Sequence, residues 1–179
     1  MPRLSDARWV ADAMGEPRLA DPQGVTDLLN YQLFLILGFA SAPVVRLCEG
    51  EFGITRHEWG YVGLLAAFAL LAPSELALRS GMDRSRTSKA LMPLVAKGLV
   101  ERRAVRGDGR RATVALTAAG RRLHQRLFAR VAAIHHQLID GLDAAELALL
   151  ARLLTRLRAR AVDLASGAEA PTGPAAADR

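Results

Sequence analysis

The sequence predicts a mainly α-helical chain with one small β-hairpin. Three observations carry this reading: apolar stripes at helical spacing through most of the length, side-chain helix-start signals ahead of several of them, and a Gly-Asp-Gly turn between two β-capable runs. A chain of 179 residues, 51% hydrophobic, can bury a core without disulfides. The single cysteine, Cys48, has no partner within the chain. The first residues carry no basic start followed by an apolar stretch, so no secretory signal is expected and a reducing cytoplasm is the expected setting.

Residues 1–25 mix Pro, Gly, Asp and Arg and read as an extension, with one short amphipathic turn around Trp9, Val10 and Met14. Thr26, followed by Asp27, is the expected N-cap of a first helix that runs from Leu28 through Leu33, Phe34, Ile36, Leu37 and Phe39 to about Cys48, within a segment 26–54. No charge occurs from Leu28 to Val45, which raises a membrane span as one reading. A helix apolar nearly all round also suits burial on several sides, as in a subunit interface, and Asn30, Gln32, Ser41 and the interior Pro43 favour that second reading.

Thr55-Arg56-His57-Glu58 has the spacing of a capping box, with Ile54 and Trp59 placed as its hydrophobic staple, and predicts a second helix from Thr55 to about Leu71. A third helix starts at Pro73, with Glu75 near its positive end, and stops at Gly81; its cap position holds Ala72, so Pro73 and Glu75 must start it without a polar cap. Asp83 caps a fourth helix ending at Lys97, before Gly98. Pro93 inside that helix is expected to bend it or to cost up to about 3 kcal/mol. Helix, Gly-containing turn and helix from Pro73 to Lys97 form a helix-turn-helix. Leu99–Val105 and Ala112–Leu116 then read as strands joined by Arg106–Arg111, which makes residues 55–117 a helix-turn-helix with a hairpin wing.

Thr117 caps a long helix with a stripe at Leu123, Leu127, Val131, Ile134 and Leu138. Asp143 and Glu146 start the last helix, with Leu142 and Leu147 as staple and Leu147, Leu150, Leu154, Leu157 and Leu164 as stripe. These stripes, over 118–165, need a partner surface, and together with the first helix they are expected to build a dimer interface. From Ser166 to the end the Gly, Ala, Pro and Glu composition reads as a disordered tail.

The charge is localised. From Arg79 to Arg111 ten Arg and Lys residues face only Asp83, Glu101 and Asp108, a net of +7 in a chain of net +6. Positive charge concentrated on a folded segment and interleaved with Leu, Val and Gly is the footprint of a polyphosphate partner.

The motifs Ser74-Glu75-Leu76-Ala77, Gly81-Met82-Asp83-Arg84-Ser85, Lys97-Gly98-Leu99-Val100-Glu101-Arg102-Arg103, Asp108-Gly109-Arg110-Arg111 and Val114-Ala115-Leu116-Thr117 resemble those of the multiple-antibiotic-resistance regulator (MarR) family, over about residues 26–165. The most specific part is Asp-x-Arg followed at fixed distance by Val-x-Leu-Thr. The resemblance implies a winged helix-turn-helix homodimer that binds double-stranded DNA at a pseudo-palindromic operator. It further implies repression as the commoner mode, and release by a small phenolic or aromatic acid or by thiol oxidation.

On the fourth helix Thr87, Ala90, Leu91 and Leu94 share a face and read as core, which leaves Ser85, Arg86 and Lys89 for the major groove. Arg86 is the expected bidentate contact to guanine, Ser85 a donor to base or phosphate, and Arg84 and Ser88 phosphate contacts. In the wing Arg110 is placed to enter a narrow minor groove with Asp108 holding its guanidinium, while Arg106 and Arg111 track phosphates. The cleft implied for an effector, between the first, second and fifth helices, offers Tyr31, Gln32, Arg46, His57 and Tyr61, which suit a benzoate-like or pyridine-carboxylate ligand.

Enzyme motifs are missing from the sequence: it has no Gly-rich phosphate loop, no Gly-x-Ser-x-Gly elbow, no His-Glu-x-x-His and no cysteine pair for zinc. No catalytic residue, metal site or cofactor is expected. The alternatives are a thiol-based redox-sensing regulator using Cys48 and, in a different class, a membrane-associated or scaffold protein.

Overall fold

A computed structural model describes residues 15–105 and 108–167, without the side chains of 104–105 and 108–111. The expected turn around Trp9, Val10 and Met14, the contact residue Arg106 and the tail beyond Gly167 lie outside the described residues. The chain divides into two compact units after Gln137.

A 3-10 turn, Val25–Asp27, leads into α1, Leu29–Glu51. The start differs from the expected Thr26 cap: Leu28 holds the cap position with no side-chain hydrogen bond. The polar groups before it are engaged elsewhere. Asp27 accepts the backbone N–H groups of Arg18 and Gln23, both at 2.9 Å, and these bonds hold its carboxyl below the usual carboxylate range. The Thr26 carbonyl accepts from Gln32 Nε2 at 2.6 Å.

Helix α2, Arg56–Phe68, starts on the expected capping box: Thr55 Oγ1 accepts from the Glu58 N–H at 3.1 Å and Glu58 Oε2 accepts from the Thr55 N–H at 2.7 Å. It ends before the expected Leu71. Ala69, at φ 59°, breaks it, and Leu70–Leu71 form β1 instead. Two apolar residues continue a helical stripe as well as they make a strand, so only their distant partners in the sheet decide the matter.

Helix α3, Pro73–Ser80, manages without a polar cap because Glu75 Oε2 accepts from the Ala72 N–H at 2.9 Å, and it stops at Gly81 in the left-handed region, φ 68°. Helix α4, Arg84–Ala96, is capped by Asp83 Oδ1, which accepts from the Arg86 N–H at 2.8 Å, and runs through Pro93 as one helix to Lys97 and Gly98. Strands β2, Val100–Val105, and β3, Asp108–Leu116, pair antiparallel in the order β1-β3-β2. The register holds from Val100↔Leu116 to Ala104↔Ala112 and then shifts to Val105↔Asp108. Strand β3 already begins at Asp108, so Asp108–Arg111 belong to the strand and not to the connection expected over Arg106–Arg111.

Thr117 Oγ1 accepts from the Gly120 N–H at 3.0 Å and starts α5, Ala118–Ile139. Ile54, Val62, Leu65, Leu76, Leu91, Leu94, Val114 and Leu127 are buried together in the core of the first unit, each contributing about 1.5–3 kcal/mol of hydrophobic stabilisation. Leu123, Val131 and Ile134 of the expected α5 stripe pack against them. In the second unit α6, Ala144–Ala165, is capped as expected: Asp143 Oδ1 accepts from the Ala145 and Glu146 N–H groups, and Glu146 Oε2 from the Asp143 N–H.

Two helices leave their apolar residues uncovered. Helix α1 buries only Leu47 and Cys48 and exposes Leu33, Phe34, Ile36, Leu37 and Phe39; by length and composition it could also cross a membrane. No residue of α6 is buried, and Leu150, Leu154, Leu157 and Leu164 are each about two-fifths exposed or more.

Candidate nucleic-acid interface

The two faces of α4 separate as the sequence predicts. Thr87, Leu91 and Leu94 are fully buried, while Arg84, Ser85, Arg86, Ser88 and Lys89 are all exposed at its N-terminal half. Burial of one face fixes the rotation of the helix, so the polar row must face outward. The first turn is held by Asp83 twice over, through its cap and through an ion pair of its Oδ2 with Arg86 Nε at 3.3 Å, both side chains largely exposed. That contact orients the guanidinium and leaves it solvated.

The cluster of ten cations is partly neutralised inside the protein. Lys97 pairs with the buried Glu58, and Arg103 with Glu101. The Arg79 guanidinium lies over the Phe68 ring, 3.9 Å from Cζ to the centroid. Arg84 and Lys89 are exposed on α4, and Arg102 on β2. The backbone of Asp108, Arg110 and Arg111 lies in β3, which pairs with β2.

A cavity of about 520 Å³ opens beside the helix-turn-helix, walled by α1 (Leu37, Ala40, Ser41, Val44), the first turns of α2 (Arg56, His57, Trp59, Gly60, Tyr61, Leu64), the end of α3 (Arg79, Ser80), Met82 and Val131. It contains His57 and Tyr61 of the expected effector residues. Tyr31, Gln32 and Arg46 lie elsewhere: α1 meets the cavity through residues 37, 40, 41 and 44, one face at helical spacing, and these three are off that part of it. Gln32 is bonded to Thr26, and Arg46 lines a separate depression with Glu51 and Arg130. The cations present are Arg56 and Arg79. Arg56 sits inside the capping box beside His57, a signal the sequence offered; Arg79 comes from the last turn of α3, which only the fold brings to the cavity.

Cys48 is fully buried, and burial, with Glu49 adding to it, pushes its thiol above the ordinary range. His124 stacks between Trp59 and Phe128, with centroids 5.4 and 5.5 Å apart, and burial lowers its pKa. Among the described residues no three His, Cys, Asp or Glu side chains gather as a metal site would require.

A helix-turn-helix with an outward polar row on its second helix, followed by a two-stranded wing, defines the winged helix-turn-helix class of DNA-binding proteins. Residues 52–111 match the model of the MarR family, whose members are DNA-binding transcriptional regulators. Such proteins regulate transcription and are not enzymes. Among solved structures, the chain is similar to a MarR-family transcriptional regulator from Silicibacter pomeroyi, at 27% identity over 76% of this chain and 92% of the other, TM-score 0.67. It is similar to a cysteine-to-serine mutant of MarR from E. coli complexed with operator DNA, at 25% identity over 70% and 91%, TM-score 0.62. It also resembles the PcaV transcriptional regulator from Streptomyces coelicolor in complex with its natural ligand, at 25% identity over 82% and 99%, TM-score 0.64. A search of curated proteins found no match.

Proposed function

We propose that the protein is a homodimeric repressor that binds a pseudo-palindromic operator through α4 and its wing, and that a small aromatic carboxylate in the cavity releases it. The observation that carries the DNA part is the exposed row Arg84, Ser85, Arg86, Ser88 and Lys89 standing on the buried Thr87, Leu91 and Leu94. Arg86 reads guanine; Arg84, Ser88, Lys89 and the wing residues Arg106 and Arg111 hold phosphates; Arg110, with Asp108, enters the minor groove. The uncovered apolar faces of α1 and α6 support dimer formation, since apolar faces of that extent are rarely left in water. A cytoplasmic setting goes with this reading, and α1 then serves the subunit interface and not a membrane.

The effector class follows from the cavity. Its volume is in the range of small-molecule sites, Trp59, Tyr61, Leu64 and Val131 supply apolar and aromatic walls, His57 a polar ring, and Arg56 and Arg79 supply cations. The similar PcaV structure holds a natural ligand, which supports a ligand-responsive mode here. Cys48 offers a poor alternative sensor, because a buried thiol with a raised pKa forms little reactive thiolate.

A panel of benzoates and pyridine-carboxylates tests the effector. At least one member should raise the thermal midpoint of the full-length protein and weaken its binding to a duplex enriched by the protein from random DNA. Arg56→Ala and Arg79→Ala should abolish both effects. If no member moves either quantity while peroxide releases the duplex only when Cys48 is present, the thiol sensor replaces this reading.

A further inference from the structure

We propose that Glu58 and Lys97 are positioning residues for DNA binding: their ion pair fixes the C-terminal half of α4 to the start of α2 and so sets operator affinity without touching DNA. The inference rests on α4 being the DNA-reading helix.

Glu58 is buried at 5% exposure and is fully used. Its Oε2 accepts from the Thr55 N–H at 2.7 Å, and the Lys97 ammonium donates to both carboxylate oxygens, at 2.9 and 2.8 Å. One carboxylate thus joins the first turn of α2 to the residue that ends α4, 39 positions away in sequence. A buried carboxylate without its cation is costly, so the pair resists separation.

The tether falls where α4 needs one. Pro93 has no N–H, so one backbone hydrogen bond is missing from the second half of the helix. Lys97 places its charge at the negative end of the same helix, where the dipole favours it. The other end of α4 is held separately: the buried Thr87 bonds the Asp83 carbonyl at 2.9 Å and meets the Tyr61 hydroxyl at 3.5 Å. Thr87 and Lys97 are about 15 Å apart along the axis. Thr87, Leu91 and Leu94 set the rotation of α4 against the core, and the Glu58–Lys97 pair adds a polar tie at its C-terminal end that limits tilt of the exposed row against the groove. Glu58 and Tyr61 are one turn apart on α2, so a single turn of α2 holds both ends of the reading helix.

Lys97 also belongs to the basic segment, and the competing role is a phosphate contact. Salt dependence separates the two. A lysine that meets phosphate displaces counterions and steepens the salt response, while one already neutralised by Glu58 does not. Lys89 and Lys97 are the chain's only lysines, so Lys89→Met is the matched control.

The experiment titrates full-length protein against the duplex that the wild type enriches from random DNA, across a salt series. Glu58→Gln keeps a side-chain acceptor for the Thr55 cap and removes the charge; Lys97→Met keeps the stem and removes the ammonium. Each should weaken binding by about five- to tenfold, the double variant should be no weaker than the worse single one, and Lys97→Arg should recover most of the loss. The log–log salt slope should stay at the wild-type value in Lys97→Met and become shallower by about 1 in Lys89→Met. Thermal midpoints confirm that the half-exposed Lys97 variants remain folded even where Glu58→Gln does not. A shallower slope in Lys97→Met, losses that add in the double variant, or wild-type affinity in both single variants would overturn the proposal. Failure of the wild type to enrich any duplex would instead remove the DNA-reading role of α4.

Discussion

Gly120→Ala is expected to be among the most destabilising single-methyl additions available in this chain. A Cβ built on Gly120 would stand 2.0 Å from the Leu99 carbonyl oxygen, 3.0 Å from its carbon and 3.2 Å from Leu116 Cδ2. The obstacle is backbone, so no side chain can swing away, and α5 must part from the start of β2 by about 1 Å or more. The Leu99 oxygen accepts from the Thr117 N–H at 3.0 Å, and Thr117 Oγ1 caps α5 through the Gly120 N–H at 3.0 Å. Separation therefore strains a hydrogen bond and a helix cap as well as the packing. Overpacking costs about 1–3 kcal/mol, loss of the cap about 1 kcal/mol and the weakened bond about 1 kcal/mol, about 3–5 kcal/mol if they added in full and less because the three are coupled. Thr117→Ala removes the cap together with the bond its hydroxyl donates to the Gly98 carbonyl at 2.7 Å, without any overpacking, and should cost about 1–2 kcal/mol. Denaturant unfolding of both variants measures the difference. A Gly120→Ala protein within about 0.5 kcal/mol of wild type would refute the reasoning, since surface substitutions without a mechanism fall in that range.

Two further outcomes follow from the same contacts. Burial keeps the folded-state pKa of His124 below its ordinary 6.5, so the unfolded chain takes up the proton first. Stability should then fall as pH drops below 6.5 and level off below the folded value, and His124→Phe should flatten that part of a denaturation series run at several pH values. In the wing, Arg110→Ala should weaken binding to duplexes with A·T-rich flanks and leave the preferred central bases unchanged, as read from enrichment on random DNA. Loss of preference at the central bases would contradict the assignment.

The parts of this fold that were legible from sequence are those with local chemistry. Thr55, Asp83, Thr117 and Asp143 each carry an oxygen within reach of N–H groups two or three residues ahead, so the helix starts could be read from spacing alone. Thr26 misled because Asp27 and the Thr26 carbonyl are engaged by Arg18, Gln23 and Gln32. Strand β1 was hidden because Leu70 and Leu71 find their partners at Ala115 and Val114, far along the chain. The α4 row was legible from periodicity. Much of the cavity was not, since its walls come together from α1, α2, the last turn of α3 and α5, and the Glu58–Lys97 pair joins residues whose proximity no local pattern encodes.

The most direct test of the central claim is the affinity of Arg86→Ala for the duplex that wild-type protein enriches from random DNA, set against its affinity for unselected DNA. The account predicts a loss of about 1–3 kcal/mol on the enriched duplex, relaxed preference at one base pair in each half-site, and little change on unselected DNA. Equal losses on both DNAs, or unchanged selectivity, would contradict the proposal that Arg86 is the residue through which the protein reads sequence.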